Sequence, residues 1–101
     1  MRTTDYTGQF KRDYKRETKG RHRGTLEADL HAVLSALLVD KPLEPRHRDH
    51  ALTGDWKDYR DCHVKPDLVL IYQKPDADVL RLVRLDSHSE LGLRMVFGLH
   101  D

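Results

Sequence analysis

The sequence predicts an α+β fold in which two N-terminal helices pack on an antiparallel β-sheet. A leucine-rich stripe with helical spacing lies in the first half of the chain, and three segments rich in strand-forming residues follow in the second half. Short junctions that contain proline separate these segments, and short connections favour antiparallel neighbours. With 101 residues, the chain is expected to form one domain, residues 1–101, around one modest core.

The N-terminal segment predicts a short strand and then a basic helix. Residues 2–6 favour a strand, and Thr7 is a suitable N-cap for a helix over residues 8–19, in which Phe10 and Tyr14 are one turn apart. Residues 1–24 carry eight basic and three acidic groups, a net charge of +5, whereas the remainder carries −4. This segment is either a solvated helix face or an arm that contacts phosphate, whose binding would depend on salt through counterion release.

The second helix has the most distinct pattern in the chain. Thr25 is a suitable cap after a glycine-bounded loop over residues 19–24, and Pro42 lies beyond the helix because proline lacks the backbone donor. The apolar residues of this helix share one face: Leu26, Leu30, Val33, Leu34, Leu37 and Leu38. A stripe of this kind must face a core, and the apolar face of the sheet is the surface available to cover it.

A polar loop over residues 41–55 leads into the sheet. The predicted strands cover residues 56–64, 68–74 and 79–85. Pro66 and Pro75 stand at their junctions, where the fixed φ of proline suits a turn. If the second turn closes between residues 74 and 77, Arg84 lies opposite Asp67.

Reactive side chains are expected to converge at one edge of this sheet. Strand alternation places Asp61 and His63 on one face, and His50 lies in the loop that leads into their strand. The full group that we expect to meet comprises His50, Asp61, His63, Asp67, Arg84 and His88. A small domain does not need several histidines and carboxylates at one sheet edge merely to fold, so the group predicts chemistry.

The chemistry that this group suits is cleavage of RNA by in-line attack of the ribose 2′-hydroxyl on the adjacent phosphate. Imidazole suits both proton transfers because its pKa lies near cellular pH. A nearby carboxylate can fix the tautomer of an imidazole, and Arg84 would supply a fixed positive charge for the phosphorane. The need for a 2′-hydroxyl restricts the substrate to RNA.

Some of these residues also have interpretations that need no catalysis. His47 and His50 form an H-x-x-H pair that could hold a metal together with His63. Asp61 could simply pair with a lysine. We interpret the remaining three histidines, His22, His31 and His100, as ordinary surface residues, and predict no metal site.

Three further features bear on where the protein is found and on how its core packs. The single cysteine, Cys62, excludes an internal disulfide and fits a reducing cytosol; its strand pattern indicates a small buried hydrophobe. Trp56 and Tyr72 suit packing in the core better than stacking on bases. No apolar run is long enough to cross a membrane, and no signal-peptide pattern opens the chain.

The nearly ungapped stretch from Asp49 to Tyr72 closely resembles the YafQ branch of the RelE/ParE toxin superfamily. The resemblance covers most of the chain and implies a RelE-like α+β fold. It implies a cytoplasmic toxin of a type II toxin–antitoxin pair that enters the ribosomal A site and cuts messenger RNA without a metal or other cofactor. The implied partners are a cognate antitoxin, the ribosome with its RNA, and operator DNA bound only through the antitoxin.

The resemblance also assigns roles to residues. The catalytic histidines and acids of the family correspond to His50, Asp61, His63, Asp67 and His88, with Arg84 as the arginine that contacts phosphate. Two positions depart from the family pattern. Asp86 replaces a usual glycine, and Gly92 replaces a phenylalanine that holds the substrate. Either Phe97 folds back into that role as a further RNA-binding residue, or the role is lost.

The basic first helix is expected to position the protein on RNA without selecting sequence, through Lys11, Arg12 and Lys15. Two other functions compete with RNA cleavage. One is a non-enzymatic toxin of the ParE type that binds a protein target, although that branch lacks the histidine and aspartate set. The other is a catalytically impaired member that serves as a binding module.

Overall fold

The computed structural model describes residues 1–87, apart from the side chain of Asp55. The predicted site residues His88 and Phe97 lie outside this range. The strands are β1 (Thr3–Tyr6), β2 (His50–Ala51), β3 (Arg60–Lys65), β4 (Leu68–Asp76) and β5 (Val79–Ser87); the helices are α1 (Gly8–Glu17) and α2 (Leu26–Leu38). No helix in the described range is long and apolar enough to span a membrane.

The five strands form one sheet in the order β1-β5-β4-β3-β2, and both helices pack on the same face of it. The predicted α+β architecture is confirmed, but the sheet is mixed, because β1 runs parallel to β5. The prediction of a purely antiparallel sheet rested on the short turns between β3, β4 and β5. Both helices and three strands separate β1 from β5 in the sequence, so no tight turn dictates their relative direction.

Helix α1 begins as predicted, because the Thr7 hydroxyl accepts a hydrogen bond from the Phe10 amide at 3.0 Å. The same hydroxyl donates to the Val83 carbonyl at 2.7 Å, which fixes the start of α1 against β5. The helix ends at Glu17, two residues earlier than predicted. Its inward face carries Phe10 and, unexpectedly, the fully buried Asp13.

Helix α2 covers the sheet with its leucine stripe, as predicted. Leu26, Leu30, Val33 and Leu37 are buried in one cluster with apolar residues of β3, β4 and β5, and burial of each such side chain stabilises the fold by about 1.5–3 kcal/mol. Thr25 precedes the helix without capping it, which corrects the prediction. Its hydroxyl instead accepts a hydrogen bond from Lys65 Nζ at 2.6 Å.

The predicted loop over residues 41–55 contains more structure than its composition indicates. Residues 45–47 and 54–56 form two 3₁₀ turns, and β2 lies between them. The second turn begins at Gly54, whose φ of 66° suits glycine, and it delays the start of β3 from the predicted residue 56 to Arg60. The turns therefore place the two-residue β2 along the outer edge of β3.

The register between β4 and β5 differs from the prediction. β4 continues to Asp76, so the turn closes between Asp76 and Val79, and Arg84 lies opposite Ile71 rather than Asp67. Ile71 pairs with Arg84 and Tyr72 pairs with Leu82, which leaves Val83 as an extra residue in a bulge. The residue that faces Arg84 therefore lies four positions later in the sequence than Asp67, the residue predicted to face it.

Candidate active site

The two sides of β3 serve different purposes. Cys62 and Val64 belong to the main core beneath the helices, so the prediction of Cys62 as a small buried residue is confirmed. Burial also raises the pKa of the Cys62 thiol. Asp61 and His63 alternate with them. Their cross-strand partners on β4 belong to a small apolar cluster on the opposite face, formed by Leu52, Val69 and Ile71 with Trp56, Tyr59 and Val83 around them. The predicted alternation is therefore correct, and both side chains face away from the helices.

His50 and Asp61 form a close imidazole–carboxylate pair. His50 Nδ1 lies 3.0 Å from Asp61 Oδ1 and 2.8 Å from the carbonyl oxygen of Arg48. Since a carbonyl can only accept, Nδ1 carries the hydrogen, and Nε2 is the nitrogen that gains or loses a proton. The side chain of His50 is 55% exposed whereas that of Asp61 is 11% exposed, so a largely buried carboxylate holds an imidazole that solvent can reach.

His63 has an analogous tautomer. Its Nδ1 donates to the carbonyl of Pro66 at 3.2 Å, which leaves Nε2 as the basic nitrogen. Its own backbone carbonyl accepts a hydrogen bond from His47 Nδ1 at 2.6 Å. His47 is buried, and this hydrogen bond anchors the loop that precedes β2 to β3. In residues 1–87, no three side chains of the types that bind metals lie close enough together to hold an ion.

A second anchor holds the segment that carries His50. The Asp49 carboxylate accepts hydrogen bonds from the Tyr72 hydroxyl and from Arg60 Nε, the latter at 3.3 Å. Burial, and then the bond to Asp49, raise the pKa of the Tyr72 hydroxyl, so it stays a donor. Sequence reasoning identified Tyr72 as a packing residue, which its burial confirms, but it missed Asp49. The only signal was its position beside His50.

Asp67 lies in the β3–β4 turn and contacts the loop between the helices. Both of its carboxylate oxygens lie near His22 Nε2, at 3.0 and 3.1 Å, and Arg21 also pairs with it. His22 is therefore more than an ordinary surface residue, as its side-chain exposure of 22% also indicates. The expected pairing of Asp67 with Arg84 is absent because the register of β5 carries Arg84 elsewhere.

Arg84 instead binds the buried carboxylate of α1. Its Nε donates to Asp13 Oδ2 at 2.8 Å, and the same oxygen accepts the Leu85 amide at 3.0 Å. Gln9 and Arg16 complete the shell around Asp13, at 2.9 and 3.1 Å. Burial opposes ionisation of Asp13, but the hydrogen bonds led by that from Arg84 outweigh it, so its pKa lies below the ordinary value.

Asp86 completes a charged cluster between α1 and β5, which we call the arginine cluster: Asp13, Arg16, Arg84 and Asp86. Asp86 lies 3.0 Å from Arg84 Nη2 and 3.2 Å from Arg16 Nη2. Its backbone is extended within β5 and has no positive φ, so an aspartate fits there without strain. Asp13 escaped the sequence analysis, although its spacing of three residues from Phe10 placed it on the inward face of α1.

The structure therefore brings together only some of the predicted site residues. One row of the sheet runs from Asp61 through Ile71 to Arg84, and the next runs from His63 through Val69 to Asp86. Partners two strands apart are separated by about 10 Å. We call His50, Asp61 and His63 the histidine group. It is separated from the arginine cluster by Val69 and Ile71 of β4, which pack against Leu52. Asp67 lies beyond these residues, in the β3–β4 turn.

The basic residues of α1 divide between solvent and the sheet. Lys11, Arg12 and Lys15 are exposed, as expected of groups that contact phosphate or solvent. Arg16 turns toward β5 and donates to the Leu85 carbonyl at 2.9 Å. Together with Asp13 and Thr7, it binds backbone groups of β5 beyond the end of β1, where no strand within residues 1–87 pairs with this edge.

Comparison with known proteins places these features in a family. Residues 2–93 match the model of a bacterial toxin of type II toxin-antitoxin systems, YafQ. The chain is 39% identical to the mRNA interferase toxin YafQ of Escherichia coli, an alignment that covers 90% of this chain and 96% of that one.

Solved structures agree in fold. A copper-bound mutant toxin from Helicobacter pylori has a TM-score of 0.78 at 38% identity, with 90% of this chain and 99% of that chain covered. YafQ in the E. coli DinJ–YafQ toxin–antitoxin complex has a TM-score of 0.75 at 36% identity, with 89% and 96% covered. Two helices on a five-stranded sheet form the RelE-like α+β fold that the resemblance implied, with a mixed sheet in place of the predicted antiparallel one.

Proposed function

This chain belongs to the YafQ family of toxins of type II toxin–antitoxin systems, and from that premise we propose that it cuts messenger RNA in the ribosomal A site and so arrests translation. The observation that carries the proposal is the histidine group. Two imidazoles with assigned tautomers lie on the sheet face that the helices leave uncovered, and a largely buried carboxylate is paired with one of them.

The proposed reaction needs a base, an acid and a cation. His63, whose Nδ1 donates to a neutral carbonyl, takes the proton from the ribose 2′-hydroxyl. The 2′-oxygen then bonds to phosphorus, and the bond to the 5′-oxygen breaks. His50 protonates that leaving oxygen from its Nε2, while the Asp61 carboxylate lies 3.0 Å from its Nδ1 and orients the ring. The products carry a 2′,3′-cyclic phosphate and a 5′-hydroxyl.

The remaining predicted residues support this reaction in our proposal. Arg84 offsets charge on the phosphorane, and Asp67 holds the β3–β4 turn beside His63 through its pair with His22. His88, which follows Ser87 directly in the sequence, adds a third imidazole, and Phe97 holds the substrate. Lys11, Arg12 and Lys15 contact ribosomal RNA phosphates. The toxin acts in the cytoplasm and needs no cofactor.

The experiment compares messenger RNA on ribosomes with the same RNA free in solution. Purified protein is added to each, and cleavage is followed by primer extension. We expect cuts only in the ribosome-bound RNA, in the A-site codon. His31→Ala is a suitable control variant, because His31 is exposed on α2, away from the histidine group. Equal cutting of free RNA, or no cutting on ribosomes, would overturn the proposal.

We also propose that a small acidic antitoxin, encoded beside this chain, neutralises the toxin and carries the pair to operator DNA. The E. coli relative has been solved in a toxin–antitoxin complex with DinJ, and the net charge of +5 over residues 1–24 favours an acidic partner. Co-expression with the product of the neighbouring gene should restore growth and yield a complex on purification. Continued arrest with both proteins present would contradict this assignment.

A binding module without activity is the second candidate function. It is supported by the arginine cluster, in which two carboxylates already occupy Arg84. This candidate predicts that the protein binds ribosomes, or another target, without cutting RNA. The same primer-extension assay separates the two, because only the enzyme gives new RNA ends.

A further inference from the structure

Asp86 stands in the arginine cluster where a phosphate group would bind. We propose that Asp86 competes with RNA phosphate for Arg84, so that substrate must displace this carboxylate to reach the arginine. This inference rests on the proposed function, because it concerns how the same site receives its substrate. It adds an internal competitor to the residues that contact RNA.

The geometry of Asp86 resembles that of a bound phosphate. Its carboxylate bridges two guanidinium groups, at 3.0 Å from Arg84 Nη2 and 3.2 Å from Arg16 Nη2. Planar guanidinium groups bind carboxylate and phosphate oxygens with the same donors. A phosphate that approaches Arg84 at Nη2 therefore needs a donor that Asp86 uses in the absence of RNA.

The two acids that bind Arg84 differ in how easily they can be displaced. Asp13 is fully buried and also accepts the Leu85 amide and Gln9, so its removal would leave buried donors without partners. Asp86 keeps 11% side-chain exposure near the end of β5. Its other described bond is a local one, from the Ser87 amide. Asp13 can therefore keep Arg84 in place while Asp86 exchanges with phosphate.

Charge gives the exchange a measurable consequence. Arg16 also pairs with Glu17 at 3.0 Å, so two guanidinium groups here meet three carboxylates, a net charge of −1 with Asp86 and 0 without it. An approaching phosphate is repelled by that excess charge and must displace one charge-assisted bond. Neutralising Asp86 removes both the repulsion and the bond that must be broken, so it should raise phosphate affinity by roughly tenfold.

The test uses Asp86→Asn, which keeps the shape of the side chain and removes its charge. The probe is a short single-stranded RNA with 2′-O-methyl groups, which cannot be cut because it lacks the attacking hydroxyl. Binding is measured by NMR titration of the Arg84 Nε–H signal at several salt concentrations. Asp5→Asn is the matched control, because Asp5 also pairs with an arginine of β5, Arg81, at 2.9 Å but outside the cluster.

We expect Asp86→Asn to bind the probe about tenfold more tightly than wild type. The slope of log K against log salt should steepen by up to about 0.7, because in wild type the displaced carboxylate takes up a counterion that offsets the one released by the phosphate. Asp5→Asn should match wild type in both respects. If the asparagine variant fails to fold, as judged by its unfolding transition, Asp86→Ser replaces it.

Equal or weaker RNA binding by the folded neutral variant, or no RNA binding by either protein, would overturn the proposal. Asp86 would then serve only to stabilise the fold. Failure of the proposed function would look different. In that case wild-type protein would cut no messenger RNA on ribosomes, whatever the affinities of the two proteins for the probe. The two assays therefore report separately on competition at Arg84 and on catalysis.

Discussion

The histidine group and the arginine cluster are held in place by different kinds of contact. The imidazoles of His50 and His63 bind backbone carbonyls two and three residues away. Arg84 and Asp13 are 71 residues apart and meet only when α1 docks on β5. Under the proposed function, the histidine group serves proton transfer, and the arginine cluster contributes both to substrate binding and to the stability of the fold.

The largest effect should follow removal of either imidazole of the histidine group. We expect His50→Ala and His63→Ala each to slow cleavage by about 10²–10⁴-fold, the usual contribution of a general acid or base. The exposed His50 should be removable with little loss of stability. Single-turnover cleavage on ribosomes measures the rates, with His31→Ala as control. Wild-type rates in both variants at equal occupancy would show that the histidines do not transfer protons.

Asp13→Ala tests the other region. Loss of this buried carboxylate leaves Arg84 with one fewer partner and the Leu85 amide without an acceptor. We expect the free energy of unfolding to fall by about 3–5 kcal/mol, as for other broken buried ion pairs. Urea unfolding measures the loss. A change below about 1 kcal/mol, similar to that of an exposed pair, would mean that α1 docks on β5 without this contact.

The same carboxylate gives stability a defined dependence on acid. Because the pKa of Asp13 in the folded protein lies below its ordinary value of 3.8, its ionised form stabilises the fold fully above that value. This contribution is lost as the pH falls through the folded pKa. The difference in stability between wild type and Asp13→Asn should therefore be constant near neutral pH and shrink below pH 3.8. A stability difference that grows as the pH falls would contradict a lowered pKa for Asp13.

A smaller effect is expected outside both regions, on the exposed face of α1. Lys11 and Lys15 lie one turn apart, and both side chains are exposed. Reversal of both charges to glutamate should weaken ribosome binding and flatten its salt dependence, while the cleavage rate of bound complexes stays close to wild type. Lys41→Glu combined with Arg46→Glu, at two exposed positions outside α1, serves as the control with the same change in net charge. Unchanged ribosome affinity in the lysine variant would show that this face of α1 is only solvated and does not contact the ribosome.

The sequence predicted the parts of this molecule that depend on local patterns. The leucine stripe of α2, the Thr7 cap and the alternation of Asp61 and His63 all follow from spacing within one element. The histidine group was predictable for the same reason, since β2 leads into β3 through a short segment. Local propensity and strand period need no knowledge of distant residues.

The errors arose where long-range packing decided the outcome. The Val83 bulge and the later turn moved Arg84 away from Asp67, and docking of α1 gave Arg84 a buried partner, Asp13, that lies 71 residues away in the sequence. The parallel pairing of β1 with β5 and the contact of His22 with Asp67 join segments far apart in the sequence. Such contacts follow from how elements pack, so the sequence alone left them open.

The chemistry of the new RNA ends tests the central claim, transfer of protons by the histidine group during attack of a ribose hydroxyl. Messenger RNA cut by wild-type protein on ribosomes is treated with polynucleotide kinase, with and without its 3′-phosphatase activity, and then ligated and sequenced. We expect 5′-hydroxyl ends paired with 2′,3′-cyclic or 3′-phosphate ends, and their near absence with His63→Ala. Ends that carry 5′-phosphates would show hydrolysis by an activated water and would contradict the mechanism.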